Sequence, residues 1–163
     1  MPELPHLSWS YCPSIPLYDL LETHNNVLWH WMDAEHSKEI LQKAKNSEVY
    51  LLSANAISED GEIVNIDGTS NRVSASSFGP HDVYFIVGKN KITANLHDAI
   101  DRARNVAAPL NAQRLNKKTP CVKDLKCHDC NSPERIYRNM QILFKAPSGC
   151  KYHIVIINDN LGY

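Results

Sequence analysis

The sequence predicts an α/β fold with an open, mostly parallel sheet flanked by helices. Segments typical of strands and of helices alternate along most of the chain, as they do in βα units. Residues 83–87 form a continuous run of apolar, β-branched and aromatic residues, which is typical of a central strand covered on both faces. We expect this strand to lie beside the apolar run 49–52. The length of 163 residues suits one domain, and we expect a single domain over residues 1–163.

The first half of the chain is expected to contain a helix followed by two strands. Asp33 can cap a helix that runs to about residue 45, and the apolar run 49–52 follows it as a strand. The sequence Ser-Glu-Asp-Gly at 58–61 is typical of a turn. A second, shorter strand is therefore predicted at 62–66.

Two further helices are predicted, one before and one after the central strand in the sequence. Thr69 or Ser70 would cap the first of them, which ends at the Gly-Pro pair 79–80. The second would begin at Thr93, because apolar residues recur at helical spacing as far as residue 107. We expect this second helix to pack on one face of the central strand.

The C-terminal part of the chain is expected to hold a helix start and two strands. Ser-Pro-Glu at 132–134 has the cap, first-turn proline and acidic residue that are typical of a helix N-terminus. Apolar residues then predict strands at 140–144 and 152–157. We expect these two strands to pair as a C-terminal hairpin.

Charge and composition exclude several classes of protein. The chain has 17 basic and 18 acidic residues and no dense cationic run, so no nucleic-acid partner is expected. No apolar run approaches the ~20 residues that cross a membrane. Residues 1–16 lack the basic start and apolar stretch of a secretion signal. We therefore predict a cytoplasmic protein without a membrane partner. We also expect residues 1–32 to be irregular or part of an incomplete N-terminal segment.

Two loops that follow predicted parallel strands form a candidate site for a small organic anion. Open α/β sheets bind ligands at the carboxyl ends of their strands, where glycines and helix starts let backbone N–H groups approach an anion. Arg72 can grip a carboxylate or phosphate by two hydrogen bonds, and Lys91 would add a second charge. The predicted ligand-binding residues are Asn65, Asp67, Gly68, Asn71, Arg72, Gly88, Asn90 and Lys91. Alternatively, these residues only cap a helix and form a solvated loop.

Three cysteines form a candidate metal site. Cys121, Cys127 and Cys130 offer soft sulfur ligands that suit zinc or an iron–sulfur cluster, and His128 or Cys150 could supply a fourth ligand. Cys130 also lies just before the predicted C-terminal helix, a position that favours a thiolate. Two alternatives stay open, namely thiol redox chemistry and no functional role.

The histidines near the N-terminus carry no recognisable site. His24, His30 and His36 are six residues apart, whereas two ligands on one helix face are four residues apart. We interpret these histidines as surface or packing residues. Because no nucleophile–base pair can be assigned, the sequence does not decide whether the protein is an enzyme.

The stretch 55–73 resembles the signature of the LUD (lactate-utilisation) family, of the LutC and YkgG type, almost position for position. It begins with Asn-Ala-Ile and ends, before Val73, with Asp-Gly-x-x-Asn-Arg. Further segments match in order at 79–80, 87–92, 107–112, 119–121, 127–133 and 161–163. Several separated motifs in one order are harder to obtain by chance than a single motif. The chain is therefore identified as a member of this family over roughly residues 47–163.

The resemblance implies a fold related to the NagB, RpiA and coenzyme A transferase group, whose members bind phosphorylated sugars or acyl thioesters. It also implies a part in the bacterial oxidation of L-lactate to pyruvate, together with iron–sulfur partner subunits. The chain looks shortened at its N-terminus and has Tyr137 where the family commonly has a fourth cysteine. The expected function is that of a LutC-type component. The alternatives are an enzyme or sensor that binds a sugar phosphate or acyl thioester, and a metal- or thiol-carrying interaction protein.

Overall fold

The structure, a computed structural model, describes residues 6–9, 17–31, 33–79 and 82–163. Within these residues the strands are β1 (His6–Trp9), β2 (Asn26–Leu28), β3 (Val49–Leu52), β4 (Ala56–Ser58), β5 (Ile63–Asp67), β6 (Asp82–Gly88), β7 (Ile92–Thr93), β8 (Asn139–Leu143) and β9 (Lys151–Ile157). The α-helices are α1 (Leu17–Glu22), α2 (Ser37–Ala44), α3 (Asn71–Ser77), α4 (Leu96–Arg102), α5 (Ala108–Arg114) and α6 (Cys121–Asp124). A π-helical turn at Ala103–Ala107 lies between α4 and α5, and a 3-10 turn at Lys89–Lys91 follows β6.

The larger of two sheets has five parallel strands in the order β2-β1-β3-β6-β9. β6 lies between β3 and β9, with Tyr50 opposite Val83 and Leu52 opposite Phe85. Val83, Phe85 and Val87 are completely buried. The predicted central strand and its pairing with β3 are therefore confirmed. Helices flank this sheet, since α2 contacts β1 and β2 and α3 contacts β3, and the predicted α/β class with a mostly parallel sheet is confirmed.

The smaller sheet has four strands in the order β7-β4-β5-β8. β4 is parallel to β7, and β5 is antiparallel to both β4 and β8. Ala99 and Ala103 are completely buried in a cluster with Val64 of β5. The helix predicted from Thr93 thus begins at Leu96 and packs on this second sheet, not on the central strand as expected. The spacing of its apolar residues predicted which face of the helix is buried, but not which sheet that face packs against.

The prediction of a C-terminal hairpin is wrong. β8 pairs antiparallel with β5, whereas β9 pairs parallel with β6, so the two strands belong to different sheets. A short apolar run can satisfy its backbone in a local hairpin or in a long-range pair, and the local sequence does not distinguish the two. The helix predicted from Ser132 is also absent. The chain makes only a turn there, in which Arg135 N donates a hydrogen bond to Ser132 O at 3.0 Å.

Residues 1–32 were predicted to be irregular or part of an incomplete N-terminal segment. Among the described residues of this stretch, β1 and β2 extend the larger sheet and α1 lies between them in the sequence. Leu17, Leu21 and Val27 pack against the cluster around Leu51 of β3. Among the described residues, no helix combines the length and the apolar character needed to cross a membrane.

Candidate anion-binding cavity

A cavity of about 800 Å³ lies where the parallel strands of the larger sheet end. Its lining comes from the segments that follow β2, β3, β6 and β9, together with the end of β5. α5, the residues after it and the connection 133–138 complete the wall. Because parallel sheets bind ligands at the carboxyl ends of their strands, the cavity lies where this fold is expected to hold a ligand.

The wall of this cavity is strongly cationic. Six of its lining residues are Arg or Lys, and two are acidic. The cationic residues are Arg72, Lys91, Arg114, Lys117, Arg135 and Arg138, and the acidic ones are Asp67 and Glu134. Glu134 is already engaged, since its Oε2 accepts a hydrogen bond from Lys118 N at 2.6 Å. A recess with this excess of positive charge attracts anions.

The carboxylate of Asp67 organises the loop between β5 and α3. Its Oδ1 accepts hydrogen bonds from the backbone N–H groups of Thr69 and Ser70, and its Oδ2 accepts one from Arg72 N, all at 3.0 Å. Ser70 takes the predicted cap position, but its side chain makes no capping bond. The backbone N–H groups that we expected to face a ligand therefore bind Asp67. A ligand here would be held by side chains rather than by these three amides.

The guanidinium of Arg72 is anchored at the end of β5. Its Nη2 donates to Ile66 O at 2.6 Å, and its Nε lies 3.5 Å from Asp67 Oδ2. In the part of the chain that the structure describes, Nη1 makes no hydrogen bond. Arg72 lines the cavity, so one side chain has both a structural contact and a position from which it can meet an anion.

Lys91 lines the same cavity and is only 5% exposed. The 3-10 turn after β6 carries it, and its Nζ donates to Ser53 Oγ at 3.1 Å. Gly162 lies against it, since a Cβ added to that glycine would be 3.4 Å from Nζ. The structure thus brings the two predicted cations to one cavity, where Asp67, Gly68 and Asn71 also contribute to the lining.

Two predicted ligand-binding asparagines do not line the cavity and instead hold segments of the chain together. Asn65 is completely buried, and its Oδ1 accepts a hydrogen bond from Asn55 N at 3.1 Å. Asn90 Nδ2 donates to Gly162 O at 3.2 Å, while its Oδ1 accepts from Leu161 N at 3.1 Å. Asn90 therefore fixes the segment that carries Gly162 onto the cavity.

Gly88, the third predicted residue outside the lining, is needed for close packing. A Cβ at this position would lie 2.6 Å from Leu161 N and 2.9 Å from Asp159 O. We expect Gly88→Ala to lower the free energy of unfolding by about 1–3 kcal/mol, because the backbone after β9 must move away. Urea unfolding monitored by circular dichroism measures this loss in the free energy of unfolding. A variant as stable as the wild type would show that the segment at Asp159 and Leu161 adapts without strain.

Four of the six cations were not identified from the sequence. Arg114 and Lys117 come from the end of α5 and the residues after it, and Arg135 and Arg138 come from the connection before β8. In isolation each of these residues is ordinary surface charge. The one local signal is the pair of arginines three residues apart just before a predicted strand.

Long-range contacts dock the connection 133–138 onto the loop after β5. Arg138 N donates to Asp67 O at 3.2 Å. Gly68 permits the close approach, because a Cβ there would lie only 3.1 Å from Ile136 O. The glycine that we assigned to ligand binding therefore also lets a second cationic segment reach the cavity.

The segment after β2 adds two aromatic residues to the wall. His30 and Trp31 both line the cavity, and the Arg114 guanidinium lies 5.7 Å from the centre of the Trp31 ring. Burial lowers the pKa of His30, Arg72 lowers it further, and Asp67 acts in the opposite direction. Our interpretation of His30 as a surface or packing residue missed its place beside Arg72.

His30 should report on the charge of the cavity. We expect it to titrate below its ordinary pKa of 6.5, and an anion bound beside Arg72 should raise that pKa by offsetting the guanidinium charge. Because unfolded His30 binds a proton at higher pH than folded His30, its contribution to stability is lost as the pH falls below about 6.5. NMR titration of the imidazole C–H signals, assigned with His30→Gln, measures the pKa. A pKa at or above 6.5 without an anion would contradict this expectation.

The three cysteines of the predicted metal site line a separate cavity of about 30 Å³. Cys121, Cys127 and Cys130 all contribute to it, but His128, one candidate fourth ligand, bonds through Nε2 to Asp124 at 2.8 Å. Within the described ranges, no group of three or more His, Cys, Asp or Glu side chains is arranged to hold a metal ion. This set of side chains therefore does not fit zinc or an iron–sulfur cluster.

One comparison with known proteins identifies a domain family. The family model of the LUD domain matches residues 10–157. Among solved structures, the chain is similar to a DUF162 family protein from Deinococcus radiodurans, with a TM-score of 0.47 and 14% sequence identity over 92% of this chain and 72% of that chain. No curated protein matches the chain.

Proposed function

Because the chain belongs to the LUD-domain family, a family related to lactate utilisation, we propose that it is a LutC-type component that binds a small organic anion in the cavity at the strand ends. The observation that carries this proposal is the convergence of six cationic side chains, from four separate parts of the chain, on one cavity. Packing like charges together costs free energy unless a counter-charge is bound. A carboxylate or phosphate supplies that charge.

The two acidic groups of the lining offset only part of the charge of its six cations. Asp67 accepts three backbone N–H groups and lies against Arg72 Nε, while Glu134 binds Lys118 N. Both are therefore committed to holding the loops in place. The charges at Arg114, Lys117 and Arg138 support a binding role beyond that of Arg72 and Lys91.

The size of the cavity favours a second candidate function. Pockets of ~300–1,000 Å³ hold drug-sized ligands, and at about 800 Å³ this one exceeds the needs of a three-carbon acid. A sugar phosphate or an acyl thioester with its phosphates would fill more of the space. Iron–sulfur subunits of lactate oxidation are proposed partners on the family relationship alone.

Thermal unfolding with matched ligand pairs tests the proposed function. We expect lactate, pyruvate, a sugar phosphate or a coenzyme A ester to raise Tm, by about 5–10 °C at a hundredfold excess over Kd. Lactamide and the free sugar are the uncharged controls and should leave Tm unchanged. A response to lactate and pyruvate supports the LutC-type function, whereas a response only to the phosphorylated ligands supports the second candidate. Equal responses to charged and uncharged members of a pair would reject an anion site.

A further inference from the structure

Two cysteine thiols lie together at the far side of the connection that lines the anion cavity. Cys127 and Cys130 are separated by two residues, neither is in a disulfide, and both line the cavity of about 30 Å³. A space of that volume holds on the order of one or two water molecules. Both residues are partly exposed, so a small oxidant can reach them. Asp129 between them has a left-handed φ of 47°, which turns the chain back on itself.

An arginine places positive charge beside one of these sulfurs. Arg104 lies near Cys127, and the proximity of that side chain is the main cause that raises the pKa of Arg104. Arg104 lines the same small cavity. Disulfide exchange proceeds through the thiolate, and Arg104 is a cationic neighbour of Cys127 in this cavity. Cys121, the third cysteine, is engaged differently, because its Sγ lies 3.2 Å from Thr119 Oγ1.

Arg135 is one of the residues that connect the cysteine segment to the anion cavity. Arg135 Nη1 donates to Cys130 O at 2.7 Å, and its Nη2 donates to Asp129 Oδ1 at 2.8 Å. Its guanidinium also lies 4.7 Å from the centre of the Tyr137 ring. Arg135 lines both cavities. Its position therefore depends on where the backbone of Cys130 lies.

We propose that Cys127 and Cys130 form a reversible disulfide that displaces Arg135 and loosens the connection 133–138 at the anion cavity. The oxidant is a small-molecule disulfide such as oxidised glutathione. One thiolate attacks a sulfur of that disulfide and releases the first small thiol, and the second cysteine then displaces the other. The protein loses two protons and two electrons, and the oxidant leaves as two thiols. The reduced pair is restored by excess small thiol.

This reversible disulfide goes beyond the proposed function, and its test does not use an anionic ligand. The full chain is equilibrated in glutathione buffers of varied ratio, free thiols are blocked, and the bridge is located by mass spectrometry of peptides. We expect a bridge between Cys127 and Cys130 that is lost in Cys127→Ser and Cys130→Ser. Cys150→Ser is the matched control and should keep it. No bridge under oxidising conditions, or a bridge that uses Cys121, would overturn the proposal.

Hydrogen exchange tests whether the bridge reaches the cavity. Arg135 N and Arg138 N are protected by bonds to Ser132 O and Asp67 O. We expect both amides to exchange about three- to tenfold faster in the oxidised protein, because the bonds that hold Arg135 are lost. Cys130→Ser should show the slow rate under both conditions. Unchanged exchange in a protein shown to carry the bridge would refute the coupling, whatever the outcome of the anion screen.

Discussion

Asp67→Ala is expected to lower the free energy of unfolding by about 3–5 kcal/mol, the largest loss among the site variants. Asp67 is 4% exposed, and its carboxylate accepts hydrogen bonds from three backbone N–H groups. Its removal leaves those donors without their acceptor and the adjacent Arg72 without its counter-charge. Urea unfolding monitored by circular dichroism gives the free energy.

Two further variants separate the charge of Asp67 from the shape of its side chain. Asp67→Asn keeps one oxygen acceptor but turns an amide N–H₂ toward a donor, so we expect an intermediate loss. Asp60→Ala removes an exposed aspartate from a turn and should stay within about 0.5 kcal/mol of the wild type. If Asp67→Ala were no less stable than Asp60→Ala, Asp67 would not organise the loop after β5.

Arg72→Ala is expected to weaken anion binding by one to two decades, about 1.5–3 kcal/mol. The guanidinium is anchored by Ile66 O and Asp67, so it approaches a ligand without further ordering. Arg72→Lys should recover only part of the affinity, because an ammonium cannot reproduce the planar fork. Isothermal titration calorimetry with the best ligand of the thermal screen measures Kd.

The same anchoring means that Arg72→Ala also affects folding. The bonds to Ile66 and Asp67 predict a loss of about 1–3 kcal/mol in the free energy of unfolding. Circular dichroism must therefore show that the variant is folded at the titration temperature. Lys151→Ala, which removes an exposed cation outside the cavity lining, is the matched control and should bind as the wild type does. Wild-type affinity in folded Arg72→Ala would remove Arg72 from the site.

Local patterns in the sequence were sufficient for the central strand, for the turn after β5 and for two cations of the cavity. Residues 83–87 predicted a covered strand because no polar residue interrupts them. In the structure Val83, Phe85 and Val87 are completely buried, and Tyr84 and Ile86 on the other face are half-buried. Arg72 and Lys91 were assigned because each follows a predicted parallel strand, and the ends of such strands meet at one edge of a sheet. That premise holds for Lys91, which follows β6, but not for Arg72, because β5 pairs antiparallel in the smaller sheet. The Asn-Ala-Ile and Asp-Gly-x-x-Asn-Arg motifs were sufficient for the family.

Only the tertiary structure decided which residues share the cavity and which hold it together. Arg114, Arg135 and His30 lie far apart in the sequence, and chain packing alone brings them to one wall. The pairing of β8 with β5 rather than with β9 likewise depends on contacts between distant segments. Apolar periodicity indicates which face of a helix or strand is buried. Which element packs against that face depends on the free energy of the whole fold. The loop amides, by contrast, bind Asp67 through contacts only two, three and five residues along the chain, in agreement with the capping alternative that the sequence left open.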